Sequence, residues 1–331
     1  MRWGVLGSSR IAARAVIPAI RAAGGEVVAV GSRDRERGSR VAGELGIPSV
    51  PGGYLDVLNS NVDCVYIPLP NSLHLPLCLE ALERGKHVLC EKPLALTAKE
   101  ADEMGAAALR QKLVLAEALM YRYHPRWEVI LRVIREGRIG VPQHVAGSFA
   151  FPLQPGDDYR WDAELGGGAL YDVGSYLVSA SRWVLGGEPT RVLASAGFRG
   201  GVDLWCDLLL DFPDQGGAAL SCGFSRAESQ WLRLEGSEAT LVIPAPFTAW
   251  RGQRIPVYLE RTPDRPPAAL ETPAADPYQV MAGRFMEAVR EGSPPPTSAA
   301  EAAANLRVID ACRESWKEGA AVPVSPAGGP R

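Results

Sequence analysis

The chain of 331 residues carries 35 Lys and Arg against 38 Asp and Glu, a formal net charge of −3, with 47% hydrophobic and 22% charged residues. That is the balance of a globular protein, and without an overall basic excess it argues against a chain devoted to nucleic acid or to a membrane surface, a local patch aside. The length exceeds one ordinary domain and predicts two.

Six cysteines (Cys64, Cys78, Cys90, Cys206, Cys222 and Cys312) are scattered singly, with no Cys-x-x-Cys pair. This predicts neither a zinc site nor a disulfide framework and fits a reducing compartment. No metal is expected. The first strand begins almost at once, which leaves no room for a cleavable leader, and no apolar run approaches membrane-spanning length. The expected location is the cytoplasm, with no membrane partner and no nucleic acid.

Trp3 to Leu6 reads as a short apolar strand, followed by Gly7-Ser8-Ser9-Arg10-Ile11-Ala12. This is a Gly-x-x-x-x-Ala variant of the dinucleotide fingerprint, with Ser9 where the second glycine normally sits. Gly7 permits the tight turn, the short Ser9 still lets a pyrophosphate approach the helix-start amides, and the small Ala12 allows close helix–strand packing. Gly7, Ser8, Ser9, Arg10 and Ile11 are therefore candidate cofactor contacts. Pro18 predicts that the following helix kinks or restarts.

Glu26 to Gly31 is the second strand, closed by Ser32-Arg33-Asp34, with Arg37 a turn further on. A hydroxyl and two guanidinium groups suit a ribose 2′-phosphate better than a bare diol, so Ser32, Arg33 and Arg37 point to NADP ahead of NAD. Asp34 could serve a diol in a shifted register.

A short third strand is expected near Ser49-Val50, and a clear fourth over Asp63 to Pro68. Leu69-Pro70-Asn71-Ser72-Leu73-His74 forms a loop and cap, contributing Leu69, Asn71 and His74 as candidate cofactor residues. The helix behind it ends at Gly85, and His87 to Cys90 is the fifth strand. Glu91-Lys92-Pro93 leaves that strand at its carboxyl end, where open α/β sheets bind ligands. Lys92 can there reach both cofactor and substrate; the bland alternative is a surface lysine before a turn proline. Thr97-Ala98-Lys99-Glu100 is a capping box, and Leu113 to Ala118 a sixth strand. The alternation predicts a doubly wound parallel sheet over residues 1–120.

Tyr121-Arg122-Tyr123-His124-Pro125 opens the second domain, expected over 121–331. Segment 143–151 reads as its first strand. Pro152 to Leu165 is an irregular stretch with Tyr159-Arg160-Trp161-Asp162, either a wall of a substrate pocket or a loop anchored by Trp161 alone. Gly166-Gly167-Gly168 then allows an unusual backbone approach before a helix through Leu185. On a helix, Asp172 and Tyr176 share one face; turned toward the Lys92 edge they would gather a carboxylate, a phenol and an ammonium, and otherwise they are ordinary helix surface. Strand-like runs follow at 191–198, 204–212, 218–224, 231–235 and 240–243, predicting a mostly antiparallel, open sheet. Turns such as Pro213 to Gly217 separate them. A proline-rich loop over 263–277, helices over 278–291 and 299–317, and a frayed end from Ser325 complete the chain.

The Gly4-x-x-Gly7-x-x-x-Ile11-Ala12 start, the Pro70-Asn71-x-x-His74 loop, Glu91-Lys92-Pro93, and Asp172-x-Gly174-x-Tyr176 behind its triple glycine resemble the glucose–fructose oxidoreductase / inositol dehydrogenase (Gfo/Idh/MocA) family across nearly the whole chain. The tyrosine form and the 121–125 segment look most like the NADP-linked xylose and dimeric dihydrodiol dehydrogenase branch. The resemblance implies a Rossmann domain, then an α+β domain that binds substrate and assembles a homodimer or homotetramer. It also implies that Lys92, with Glu91 beside it, touches the nicotinamide ribose, and that the bond to Pro93 is often cis. The expected reaction is hydride transfer between NADP (or NAD) and a hydroxyl-bearing carbon of a sugar, polyol or dihydrodiol, an aldose or related polyol being favoured. A free phenol titrates at about 10; a nearby ammonium would favour its phenolate. Tyr176 is then the proton-transfer residue, Lys92 its electrostatic partner and Asp172 a substrate-hydroxyl acceptor, with Arg122 and Arg160 as further substrate contacts. The competing readings are a non-catalytic nucleotide-binding sensor on the same fold and, among enzymes, reduction of a conjugated biliverdin-type system.

Overall fold

The computed structural model describes residues 1–48, 52–156, 158–213, 216–248, 252–262 and 264–326. The strand expected at Ser49-Val50 lies outside them, as do Asp214 and Gln215 of the expected turn, Pro263 and residues 327–331. By its contacts the chain divides into two compact units, Met1–Tyr123 with Asp276–Ala303, and His124–Ala275 with Ala304–Arg331.

In the first unit, strands β1 (Arg2–Leu6), β2 (Glu26–Gly31), β3 (Cys64–Ile67), β4 (His87–Cys90) and β5 (Leu115–Glu117) form one parallel sheet in the order β2-β1-β3-β4-β5. All four residues of β3 are buried, as expected of a parallel strand covered on both faces. The chain leaves β1 toward β2 on one side and returns to β3 on the other. The carboxyl ends of β1 and β3 therefore border the crevice where the strand order reverses, the ligand position of open α/β sheets.

Helices α1 (Ile17–Ala22), α2 (Arg35–Glu44), α3 (Tyr54–Asn59), α4 (His74–Glu83) and α5 (Ala98–Gln111) connect the strands. The restart expected at Pro18 is present: Ala12–Val16 is a wide π-type turn, and α1 begins with the proline in its first positions. A proline has no N–H to donate, so this place suits it. Thr97 caps α5 by accepting from Glu100 N at 3.2 Å, while the Glu100 carboxylate reaches back to Leu96 N at 2.9 Å.

The first unit also takes in the segment Asp276–Ala303, which a division at residue 120 left with the second domain. The cause is packing: α8, which spans Pro277–Glu291, sets Phe285 against Trp3 with ring centroids 5.2 Å apart, and both side chains are fully buried. A hydrophobic contact pays no heed to a sequence separation of this size.

The second unit begins with α6 (Arg126–Arg135) and β6 (Pro142–Ala150); α7 (Ser175–Leu185), β7 (Arg191–Arg199), β8 (Val202–Phe212), β9 (Gly216–Gly223), β10 (Ser229–Gly236), β11 (Thr240–Pro244), β12 (Val257–Glu260) and β13 (Ala268–Leu270) follow, then β14 (Val322–Pro323). Helix α9 (Ala299–Glu318) carries the division between the units within it. The nine strands run β13-β12-β11-β10-β6-β9-β8-β7-β14, antiparallel except for the parallel β6–β9 pair. Strand β13 lies inside the stretch expected as a proline-rich loop; it is a three-residue strand that, among the described residues, pairs with β12 at the sheet edge, a place where flanking prolines break no ladder. Helix α7 is buried on nearly every side and lies on β6, with Leu177 close against Gly147. Leu193, Leu209 and Trp231 are exposed on the sheet.

Candidate functional site

In the first unit the expected cofactor residues line up along the strand ends. Gly7 has φ +130, a conformation other residues rarely adopt, and a methyl there would stand 2.9 Å from Leu69 Cδ2. Its N–H donates to Gly31 O at 2.8 Å, tying the turn after β1 to the end of β2. Ser9, in the place of the fingerprint's second glycine, uses its hydroxyl to accept from Ala12 N at 3.2 Å, a cap for the helical turn. The Ser8 and Ser32 hydroxyls lie 3.1 Å apart, while Arg10, Arg33 and Arg37 are exposed and Ile11 is half-buried. Asp34 caps α2 by accepting from Arg37 N at 3.0 Å. One oxygen of its carboxylate is thus engaged at the helix start.

The Lys92–Pro93 peptide is cis. Glu91 is held on both sides: Tyr66 Oη donates to its Oε1 at 2.5 Å and Lys92 N to its Oε2 at 3.3 Å. Burial, with the Glu91 anion beside it, drives the Tyr66 phenol well above its ordinary range. His74 has no exposed surface. Its Nδ1 lies 2.9 Å from Pro93 O and its Nε2 2.9 Å from Leu69 O. The ring thus bridges the loop after β3 and the loop after β4. Burial lowers its pKa against the pull of those carbonyls. Asn71 is buried beside it in sequence and Leu69 is half-buried. Arg122 pairs with Glu301 at 3.6 Å.

In the second unit the irregular stretch is anchored by its backbone, and not by Trp161 alone. Arg160 O accepts from Gly168 N at 3.0 Å and Asp162 O from Gly167 N at 2.8 Å. A methyl on Gly167 would stand 2.5 Å from Arg160 O, which is why the chain is bare at this crossing. Trp161 Nε1 donates to Gln154 O at 3.0 Å. This packing delivers the Arg160 guanidinium to Asp172, Nε to Oδ2 at 3.1 Å, with Asp158 3.6 Å away on its other side. Burial would weaken the Arg160 charge, but the Asp172, Tyr159 and Asp158 side chains around it raise its pKa. Asp172 lies in a π-type turn, Leu170–Gly174, which runs into α7 at Ser175; an ordinary helix was expected throughout. Such wide turns recur at functional sites. Tyr176 is buried among rings, with Phe247 at 5.3 Å and Phe149 at 5.5 Å.

Residues 1–119 match the family model described as "Oxidoreductase family, NAD-binding Rossmann fold", and residues 127–242 match the GFO/IDH/MocA C-terminal domain. The chain is 36% identical over 326 residues to D-xylose 1-dehydrogenase (NADP(+)) 2 of Haloferax volcanii, covering 97% of this chain and 99% of that one. The chain belongs to the GFO/IDH/MocA oxidoreductase family. Trans-1,2-dihydrobenzene-1,2-diol dehydrogenase of Xenopus laevis is 30% identical over 252 residues, 74% of this chain and 75% of that one. A 3-ketoreductase from Actinomadura kijaniata, solved in complex with NADP and TDP-benzene, matches this oxidoreductase with a TM-score of 0.91 at 32% identity, over 95% of this chain and 97% of that one. That ketoreductase has also been solved with one tyrosine replaced by phenylalanine and with one lysine replaced by alanine.

Two acids of the oxidoreductase escaped the sequence reading. Glu117, in the first unit, is 3% exposed and accepts from Leu94 N at 2.9 Å, just beyond the cis bond. Burial pushes its carboxyl up to about 7, although Leu94 N, Lys92 and Arg122 all favour the anion. Asp203, in the second unit, accepts from Leu170 N at 2.7 Å and is likewise pushed up to about 7 by burial. Each holds the backbone of a motif that the sequence did single out. The available signal was an acidic residue inside an apolar run, Leu115-Ala116-Glu117-Ala118 and Val202-Asp203-Leu204.

Proposed function

We propose that this oxidoreductase transfers a hydride between NADP and a hydroxyl-bearing carbon of a sugar, polyol or dihydrodiol, with an aldose or related polyol favoured. The observation that carries the reading is the set of groups at the carboxyl ends of strands in one parallel sheet: the Gly7 turn after β1, Ser32 and Arg33 after β2, and Lys92 after β4. The residues fit such a cofactor. A methyl at Gly7 would obstruct the turn, and a hydroxyl with two exposed guanidinium groups, Ser32, Arg33 and Arg37, suits the 2′-phosphate. When bound, the nicotinamide accepts or supplies the hydride.

The chain's own groups handle the proton. Tyr176 takes it from the substrate hydroxyl during oxidation and returns it during reduction, and the Lys92 ammonium favours the phenolate that this requires. Asp172, oriented by Arg160, accepts a hydrogen bond from a further substrate hydroxyl. Glu91 fixes the backbone of Lys92, and Arg122 serves as a further substrate contact. The six buried free cysteines suit a cytoplasmic enzyme, and a homodimer or homotetramer is the expected assembly.

The test is a screen of D-xylose, D-glucose, D-galactose, inositols and dihydrodiols with NADP and NAD, read by cofactor absorbance. Turnover of at least one polyol, faster with NADP, is the expected result. Silence across all of them while NADPH still binds would replace this reading with that of a nucleotide-binding sensor.

A further inference from the structure

Tyr176 is held by a cluster of rings whose own position is set from a distance. Phe149 and Phe247 stack with centroids 5.3 Å apart, and the Tyr176 ring meets both of them. Phe149 sits on β6. Phe247 sits in the irregular loop that follows β11, where Ala245 has φ +41, a left-handed conformation that alanine seldom takes. A loop of that shape does not hold itself.

Side chains from two other elements hold it. Arg126, the first residue of α6 and 1% exposed, donates through one terminal nitrogen to Ala245 O at 2.7 Å and through the other to Pro244 O at 3.0 Å. The adjacent Trp127 donates Nε1 to Pro246 O at 3.3 Å. From β10, Gln230 Oε1 accepts from Phe247 N and Thr248 N, each at 2.9 Å. The backbone from Pro244 to Thr248 is thus gripped at five polar atoms, and the ring it carries is the one on which Tyr176 leans.

Arg126 is the unusual member. Among the described residues no carboxylate pairs with it, and burial lowers its pKa to about 10. A buried guanidinium that serves only two carbonyls is a poor device for stability, since an unpaired buried charge works against the fold. Its two rigidly spaced donors do deliver one thing: a loop geometry fixed in two places at once.

We propose that Arg126, Gln230 and Phe247 are positioning residues that fix the Tyr176 phenol for proton transfer, acting through the Phe247 ring. This rests on the reading of Tyr176 given above. Displacing a reacting group by a fraction of its hydrogen-bond length weakens catalysis more than binding.

The experiment is a double-mutant cycle on Phe247→Leu and Tyr176→Phe, using NADP and whichever of D-xylose, D-glucose or D-galactose is turned over fastest. Phe247→Leu keeps an apolar side chain and removes the ring. The expected result is a fall in kcat of about tenfold with KM and NADPH affinity nearly unchanged, and no further fall when Phe247→Leu is added to Tyr176→Phe. Arg126→Met should reproduce the loss, and Arg126→Lys, which can reach one carbonyl, should recover part of it. Equal losses in both backgrounds, or an unaltered kcat in Phe247→Leu, would overturn the positioning role and leave the proton-transfer reading standing. Undiminished kcat in Tyr176→Phe, or no turnover of any sugar, inositol or dihydrodiol, would instead remove that reading and this inference with it. Should Arg126→Met fail to fold, the cycle on Phe247 decides alone.

Discussion

Replacing Glu117 with glutamine perturbs a single buried charge beside the Lys92 loop. The carboxyl moves from its ordinary 4.5 to about 7 on folding, chiefly through burial. At acid pH both folded and unfolded chains hold the proton, and the residue favours neither. As pH rises through 4.5 the unfolded chain releases its proton first, so stability falls until the folded carboxyl ionises as well, near 7. At about 1.4 kcal/mol per pH unit the accumulated loss comes to about 3 kcal/mol. Glutamine keeps an oxygen that can accept from Leu94 N and carries no charge. Urea unfolding of wild type and Glu117→Gln should give similar free energies near pH 4.5, with the variant gaining about 2–3 kcal/mol by pH 8. Asp203 imposes a slope of the same sign on both proteins and cancels in the comparison. A difference between the two that stays constant across this range would refute the reasoning.

Gly168→Ala places a methyl on Asp203 Oδ1 at φ +113, and should lose about 3 kcal/mol or fail to fold, measured by urea unfolding; unchanged stability would show that the turn has slack. Arg33→Ala combined with Arg37→Ala should raise KM for NADP at least about tenfold and leave KM for NAD nearly unaltered, measured by steady-state kinetics. Arg160→Met removes the guanidinium that lies 3.1 Å from the 8%-exposed Asp172 carboxylate. The arginine side chain is 30% exposed, so about 1–2 kcal/mol of stability should go, together with a larger share of kcat.

Local patterning made the first sheet legible. Short apolar runs ending in Gly7, Ser32, Leu69 and Lys92 announce both the strands and the edge where a ligand belongs, because a parallel strand buried on both faces is apolar throughout. The Gly166-Gly167-Gly168 run likewise announced a close backbone crossing, and the partner proved to be the backbone of Arg160 and Asp162. What stayed hidden depends on residues far apart in the chain. Nothing near Phe285 says that it will meet Trp3, and nothing near Arg126 says that its donors will serve Ala245 and Pro244. His74 was legible as part of a loop motif, yet its engagement by two backbone carbonyls emerged only when both loops were in place. Strand β13 was masked by its prolines, which are breakers inside a sheet and harmless along its edge.

The central claim is that Lys92 and Tyr176 together manage the proton. Its most direct test is kcat for Lys92→Met and Tyr176→Phe, measured at saturating NADP and sugar alongside the NADPH dissociation constant of Tyr176→Phe. A fall of about a hundredfold or more in each kcat is expected, with NADPH binding to Tyr176→Phe within about threefold of wild type. Turnover at the wild-type rate in either variant would contradict it.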